Sequence, residues 1–285
     1  MRRPGQASGW RTEHPCHDTA IGARYARITW WSTTGREVCS VADVAIVTGA
    51  SRGIGAATAR LLGARGYRVC VNYRTEPEPA RALCAEIEAA GGRAIAVYAD
   101  VGRPDEVAAM FATVDGELGP VTALVNNAAM IGPSTRVIDL DPADMERLLQ
   151  VNVMGVVHCT QQALRRMSTE HGGTGGAIVN VSSGASYVGE PGVAVHYAAT
   201  KGAVTSFGIG LAQEVMAEGV RVNTVSPGPI RTAMPHPGAL ERGAQVVPAR
   251  RAGEPEEVAE AIVWLLSPAA SYVACANVRV AGGKP

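Results

Sequence analysis

Surplus charge is missing from this chain: 26 Lys and Arg side chains balance 26 Asp and Glu over 285 residues. A formally neutral protein has no bulk attraction for nucleic acid or for an anionic membrane surface, so neither is expected as a partner. Long apolar runs are missing too; no stretch approaches the ~18 consecutive apolar residues of a membrane-spanning helix. Paired cysteines are absent. Cys16, Cys39, Cys70, Cys84, Cys159 and Cys275 are scattered, with no Cys-x-x-Cys among them, which points to a reduced, cytoplasmic protein. Three catalytic signatures are absent or incomplete as well. Gly49-Ala50-Ser51-Arg52-Gly53 matches Gly-x-Ser-x-Gly in letters, but no Ser–His–Asp order accompanies it, so no serine hydrolase is suggested. Without His-x-x-x-His or His-Glu-x-x-His there is no zinc-hydrolase helix. Without Gly-Lys-Ser/Thr after Gly49 there is no Walker-type phosphate loop. His158, His171 and His196 are read as structural or exposed.

Residues 1–41 lack apolar periodicity and the continuous apolar core of a signal peptide. They are read as an extension with no assigned function, and their His14, Cys16 and His17 as a chance cluster rather than a metal site. Residues 42–285 read as one domain, without an internal repeat or linker. Apolar residues make up 47% of the chain and charged ones 18%, enough for a sizeable core and too little charge for disorder. Short apolar runs near 44–48, 68–73, 94–99, 121–125, 177–182, 220–225 and 277–280 alternate with helical patterns near 53–65, 78–90, 104–118, 142–168, 196–217 and 255–266. This alternation predicts an α/β fold: a Rossmann-type, doubly wound parallel sheet of about seven strands with helices on both faces.

One turn organises the chemistry. Thr48-Gly49-Ala50-Ser51-Arg52-Gly53-Ile54-Gly55 follows an apolar strand and opens a helix. Glycine lets a phosphate approach the backbone, and the helix start behind it offers unpaired N–H groups and a positive dipole end. An acid at the end of the second strand would bind an adenosine ribose 2′-hydroxyl and favour NAD. Asn72, Tyr73 and Arg74 stand there instead, and a guanidinium suits a 2′-phosphate. Further along come Asn126-Asn127-Ala128-Ala129, Asn152, Ser182-Ser183, and Tyr197-Ala-Ala-Thr-Lys201, whose Tyr and Lys share one helix face. A lysine ammonium beside a phenol favours the phenolate, which would suit Tyr197 to exchange a proton with a carbonyl or alcohol oxygen.

Thr-Gly-x-x-x-Gly-Ile-Gly, Asn-Asn-Ala and Tyr-x-x-x-Lys in this order resemble the short-chain dehydrogenase/reductase family over roughly residues 43–283, closest to its sugar dehydrogenases and 3-oxoacyl reductases. The resemblance implies a catalytic set of Asn152, Ser183, Tyr197 and Lys201, with Ser183 rather than Ser182 holding the reacting oxygen. It implies cofactor contacts from Gly49, Ser51, Arg52, Gly53, Ile54 and Gly55 in the turn. Arg52 would reach the ribose beside Asn72, Tyr73 and Arg74. Asp100 and Val101 would meet the adenine, while Asn127, Ala128 and Ala129 would line the cleft. Pro227, Gly228, Ile230 and Thr232 would pass beside the nicotinamide, and Tyr197 and Lys201 would touch the cofactor too. NADP(H) is expected over NAD(H), with a small carbonyl or alcohol substrate and a homotetramer. Residues 233–250 would form a substrate lid. Two departures from the family pattern stand out: Ala129 replaces a glycine, and Ala274-Cys275 replaces Thr-Gly. An NADP(H)-binding regulator without turnover is the alternative reading.

Overall fold

The computed structural model describes residues 43–236 and 238–284; the expected extension 1–41, with its candidate His–Cys cluster, lies outside the described residues. Strand β1 (Val44–Val47) shows why the chain folds as a layered sheet. Val44 and Ile46 enter one apolar cluster while Ala45 and Val47 enter the other, and all four are buried. A strand covered on both faces reads as an unbroken apolar run rather than an alternating one. The remaining strands are β2 (Arg68–Tyr73), β3 (Arg93–Tyr98), β4 (Ala123–Asn126), β5 (Gly176–Val181), β6 (Val220–Pro227) and β7 (Asn277–Val280). All pair in parallel, in the order β3-β2-β1-β4-β5-β6-β7.

The helices are α1 (Gly53–Ala64), α2 (Pro77–Ala89), α3 (Pro104–Glu117), α4 (Pro142–Leu149), α5 (Gly155–Met167), α6 (Ala185–Val188), α7 (Val195–Val215), α8 (Ala239–Val246) and α9 (Pro255–Leu266). Leu62, Ile87 and Ile262, from α1, α2 and α9, pack on one face of the sheet. Phe111, Met167 and Leu211, from α3, α5 and α7, pack on the other. Four of these helices begin with proline, which fixes the first helical φ and forfeits an N–H that has no partner there anyway. In front of α9, Glu254 and Glu257 form a reciprocal capping box.

Strand order reverses between β1 and β4. The chain winds outward from β1 to β3, then returns to lay β4 on the other side of β1. Val47 sits level with both Val71 and Val125, so the loops leaving β1, β2 and β4 emerge together. A crevice opens at such a reversal, beyond the carboxyl ends of the strands.

The expected strands at 68–73 and 277–280 coincide with β2 and β7, and the others differ by no more than two residues at an end. Two helical expectations are corrected. The pattern over 142–168 is not one helix: Gln150–Met154 winds as a π-helical turn between α4 and α5. Where α5 begins, a Cβ on Gly155 would lie 2.6 Å from Val101 Cγ2, so the helix passes tight against the loop after β3. The expected lid, 233–250, outside the helical patterns above, contains α8, too short to announce itself by periodicity. Among the described residues all four cysteines are free, and no helix is long and apolar enough to cross a membrane.

Candidate active site

The turn after β1 is held by side chains from its neighbours. The Thr48 hydroxyl accepts from the backbone N–H groups of Asn127 (2.9 Å) and Ala128 (3.0 Å). Asn127 returns its amide N–H to the carbonyls of Thr48 (2.8 Å) and Gly49 (3.0 Å). From the other side the Gly49 N–H donates to Asn72 Oδ1 at 3.1 Å, while Asn72 Nδ2 donates to the Ala99 carbonyl at 3.1 Å. Asn72 is thus a buried clamp between three strand ends, its amide committed to backbone rather than held out for a ligand.

Gly49 has φ +60°, and a Cβ there would lie 2.9 Å from Ala128 Cα. Gly55 is needed for close approach instead, since its Cβ would fall 2.5 Å from the Gly49 carbonyl oxygen and 2.6 Å from Asn127 Nδ2. No side chain caps the start of α1 and no acid lies in its first turn. Its leading N–H groups and dipole therefore face the crevice uncompensated, which fits the pyrophosphate of a dinucleotide.

Two contiguous lobes make up the crevice. A lobe of about 400 Å³ runs from Gly49, Arg52 and Gly53 to Arg74, Asp100 and Val101. A second of about 410 Å³ holds Ser183, Tyr197 and Lys201 with Pro227, Gly228 and Ile230. Ile54, Asn127, Ala129 and Thr232 border both. Thr232 reaches this waist because the loop after β6 is pinned: Arg231 N–H donates to the Gly253 carbonyl (2.9 Å) and Gly253 N–H to the Pro229 carbonyl (2.9 Å). Of the residues expected to contact cofactor or substrate, Gly55, Tyr73 and Asn152 line neither lobe. Tyr73 packs edge-on against Tyr98, ring centroids 6.1 Å apart.

At the rim, Arg52 pairs with Glu76 (3.1 Å) and Arg74 with Asp100 (3.5 Å). Asp100 also accepts from Arg147 and from the Gly102 N–H. Burial pushes its carboxyl up, but the Arg147 hydrogen bond, the Gly102 N–H and the charges of Arg147 and Arg74 together hold it below its ordinary range. Asp100 is therefore the organiser of this corner. Each arginine keeps further N–H donors of its fork for another anion.

In the second lobe the three convergent groups come from two elements. Ser183 follows β5, and Tyr197 and Lys201 lie one turn apart on α7. The two elements are locked together: Ser182 Oγ donates to the Lys201 carbonyl (2.9 Å) and Lys201 Nζ to the Val181 carbonyl (2.7 Å). Ser182 is spent on this lock, which leaves Ser183 as the serine that hydrogen-bonds the Tyr197 phenol. Asn152, wholly buried in the π-helical turn, sits one layer behind. It accepts from the Met130 N–H (2.9 Å) and donates to the Met130 carbonyl (2.8 Å) and Thr200 Oγ1 (3.0 Å). Thr200 in turn donates to the Tyr197 carbonyl (2.8 Å). Asn152 so ties the loop after β4 to the helix that carries Tyr197.

The electrostatics correct one expectation. Burial, rather than Lys201, dominates the tyrosine pKa in this structure. Burial pushes Tyr197 up to about 12, the Ser183 hydrogen bond opposing and the nearby Glu190 carboxylate adding to the rise. Burial likewise pushes Lys201 down to about 8. Its ammonium is 5.8 Å from the phenol ring centroid and committed to Val181, so desolvation of both groups outweighs their attraction.

Sequence reasoning missed Glu190, which lines the lobe with φ +46° inside Gly189-Glu190-Pro191-Gly192. That Gly/Pro cluster was a legible turn signal. It also missed Arg242, Arg279 and Lys284, which converge from separated segments and had no local signature. Both departures noted above are resolved. Ala129 is not among the described non-glycine residues of positive φ, so its methyl costs no backbone strain; Cys275 is, at φ +61°. Among the described residues no group of three metal-ligating side chains exists.

A doubly wound parallel sheet, a glycine-cradled helix start at its reversal point and a Ser–Tyr–Lys set beside it define a nicotinamide-dinucleotide oxidoreductase. The comparisons agree. The family profile described as enoyl-(acyl carrier protein) reductase matches residues 49–284. An uncharacterised oxidoreductase of Escherichia coli, YgfF, is 46% identical over 245 residues, 85% of this chain and 99% of that protein. A 3-oxoacyl-[acyl-carrier-protein] reductase of Synechocystis is 41% identical over 243 residues, 85% and 96% of the two chains. The crystal structure of a short-chain dehydrogenase from Burkholderia cenocepacia in complex with NADP superposes with a TM-score of 0.78 at 33% identity, covering 85% of this chain and 97% of that one. The chain belongs to the short-chain dehydrogenase/reductase family, and is an NAD(P)-dependent enzyme acting on CH–OH or carbonyl groups.

Proposed function

We propose that residues 42–285 form the catalytic domain of an NADP(H)-dependent oxidoreductase that interconverts a carbonyl and a secondary alcohol, with Tyr197 as the acid/base. The observation that carries this reading is the placement of Ser183 and Tyr197 on the wall of the lobe that joins the glycine cradle. A phenol held up at about 12 keeps its proton at neutral pH. In the reducing direction Tyr197 Oη gives that proton to the carbonyl oxygen while Ser183 Oγ holds the same oxygen. The reduced nicotinamide, when bound, supplies the hydride. Lys201, bordering both Tyr197 and the lobe, would bind the adjoining ribose, and Asn152 positions the helix through Thr200.

NADP(H) is favoured over NAD(H) because no acid ends β2, while Arg52 and Arg74 border the adenosine end of the crevice. The family resemblance adds a homotetramer built through β7 and α9, where Trp264 is exposed on α9; sedimentation velocity measures this directly.

The test is a fluorescence titration with NADPH and NADH, together with turnover of a panel of carbonyl compounds. Wild type should bind NADPH about tenfold or more tightly than NADH. The Arg52→Ala/Arg74→Ala protein should lose that preference, and Tyr197→Phe should bind NADPH yet fail to oxidise it. Undiminished turnover by Tyr197→Phe would refute the role given to the phenol.

A further inference from the structure

The substrate lobe carries a charge imbalance that hydride transfer does not use. Most arginines among the described residues are matched: Arg60 with Glu86, Arg166 with Asp115 and Arg251 with Glu257 are examples. Arg242 and Lys284 have neither an ion-pair nor a hydrogen-bond partner for their side chains among the described residues, and Arg279 only lies over the Tyr187 ring at 4.2 Å. All three line the same lobe. They come from α8, from β7 and from the segment after β7, so no single helix face or charged run explains their convergence.

Their surroundings sharpen the point. The lobe is walled by Ile131, Val193, Met234, Leu240 and Val246, and the one carboxylate lining it among the described residues is Glu190. Glu190 belongs to the Tyr197 end, where its charge acts on the phenol. The ring of His236, also in the lining, has a buried Nε2 with no hydrogen-bond partner among the described residues. Arg242 and Arg279 are exposed and Lys284 is half-buried, so they keep water, but together they give the lobe a net positive field. An anion entering the lobe is drawn by that field, and a guanidinium fork is shaped for two oxygens of one oxyanion.

We infer that the substrate is an organic anion: a carbonyl compound with an apolar body whose distal carboxylate or phosphate is held by Arg242 and Lys284, with Arg279 alongside. This rests on the reading that the Ser183–Tyr197 end takes the carbonyl. It goes beyond that reading by naming the substrate's class and the residues that choose it. The carbonyl goes to the protonated phenol and the apolar chain to the wall. The anionic terminus goes to the basic cluster, away from Glu190.

The experiment uses three probes sharing one methyl-ketone chain: one with a terminal carboxylate, one with a terminal phosphate, and the methyl ester of the first. Binding to the full-length protein, saturated with NADP, is measured by calorimetry. At least one anion should bind about tenfold or more tightly than the ester, and the tighter of the two identifies the oxyanion. In Arg242→Gln/Lys284→Gln that ratio should fall to near one. Arg165→Gln, which removes an exposed and unpaired charge on α5, should leave it unchanged. Equal binding of all three probes, no binding of either anion, or a preference that survives the double change would each overturn the inference. Turnover with NADPH is followed separately. Preferred binding of an anion without oxidation of NADPH by any probe would sink the hydride-transfer reading and leave the anion site standing. Turnover without anion preference would do the reverse.

Discussion

Lys201 is a cation buried in the core of its own active site, and replacing it should make the protein more stable while ending its activity. Its side chain is 3% exposed and donates to the Val181 carbonyl at 2.7 Å. Burial pushes its pKa from 10.5 down to about 8. A fall of that size corresponds to about 3 kcal/mol of ionisation cost in the folded state at neutral pH. Lys201→Met fills similar volume without the charge, but orphans the carbonyl for about 1 kcal/mol. The variant should therefore be more stable by about 2 kcal/mol near neutral pH. The pH dependence has a definite sign. Between about 8 and 10.5 the unfolded lysine still holds a proton that the folded one has lost, so wild-type stability rises with pH through that window. The advantage of Lys201→Met should shrink across it and reverse above it, leaving only the orphaned carbonyl. Urea unfolding without added cofactor, near pH 7 and near pH 10, measures both ends. A less stable variant near pH 7, or a gap that ignores pH, would refute the reasoning.

Three further outcomes follow from particular contacts. Glu190→Gln removes a charge that raises the Tyr197 pKa, so the alkaline limb of the reduction rate, which needs the protonated phenol, should move to lower pH; an unmoved limb would show that the charge does not reach Tyr197. Gly55→Ala places a methyl 2.5 Å from the Gly49 carbonyl oxygen, and should cost about 2–3 kcal/mol in denaturant unfolding and weaken NADPH binding; full retention of both would mean the turn yields more easily than its packing indicates. Cys275→Gly relieves a non-glycine residue at φ +61° whose thiol makes only a 3.8 Å contact with the Ile209 carbonyl. It should raise the melting temperature by about 2 °C, and a lower value would refute the strain argument.

Much of this was legible in one dimension because the relevant physics is local. A strand covered on both faces must be apolar throughout, so β1 was visible as Val44–Val47. A turn that lets a backbone cross close to its neighbour must be glycine-rich, so the cradle was visible as well. Tyr197 and Lys201 were legible as a pair because four residues along a helix bring side chains to one face. The break in the 142–168 pattern was less legible. A π-helical turn changes the winding without changing composition, and only Asn152, a mediocre helix former, hinted at it.

Sequence by itself thus determined the fold class, the place of the cradle and the Tyr–Lys pairing, since each follows from periodicity or from the geometry of one short segment, while Ser183 was singled out only by the family resemblance. Tertiary structure decided what depends on neighbours distant in the chain. It assigned Ser182 to the lock and Ser183 to the phenol, made Asn72 a clamp, and brought Arg242, Arg279 and Lys284 to one lobe. It also set the charge state of the tyrosine. Desolvation is a property of everything packed around a group, and the residue four places along could not report it.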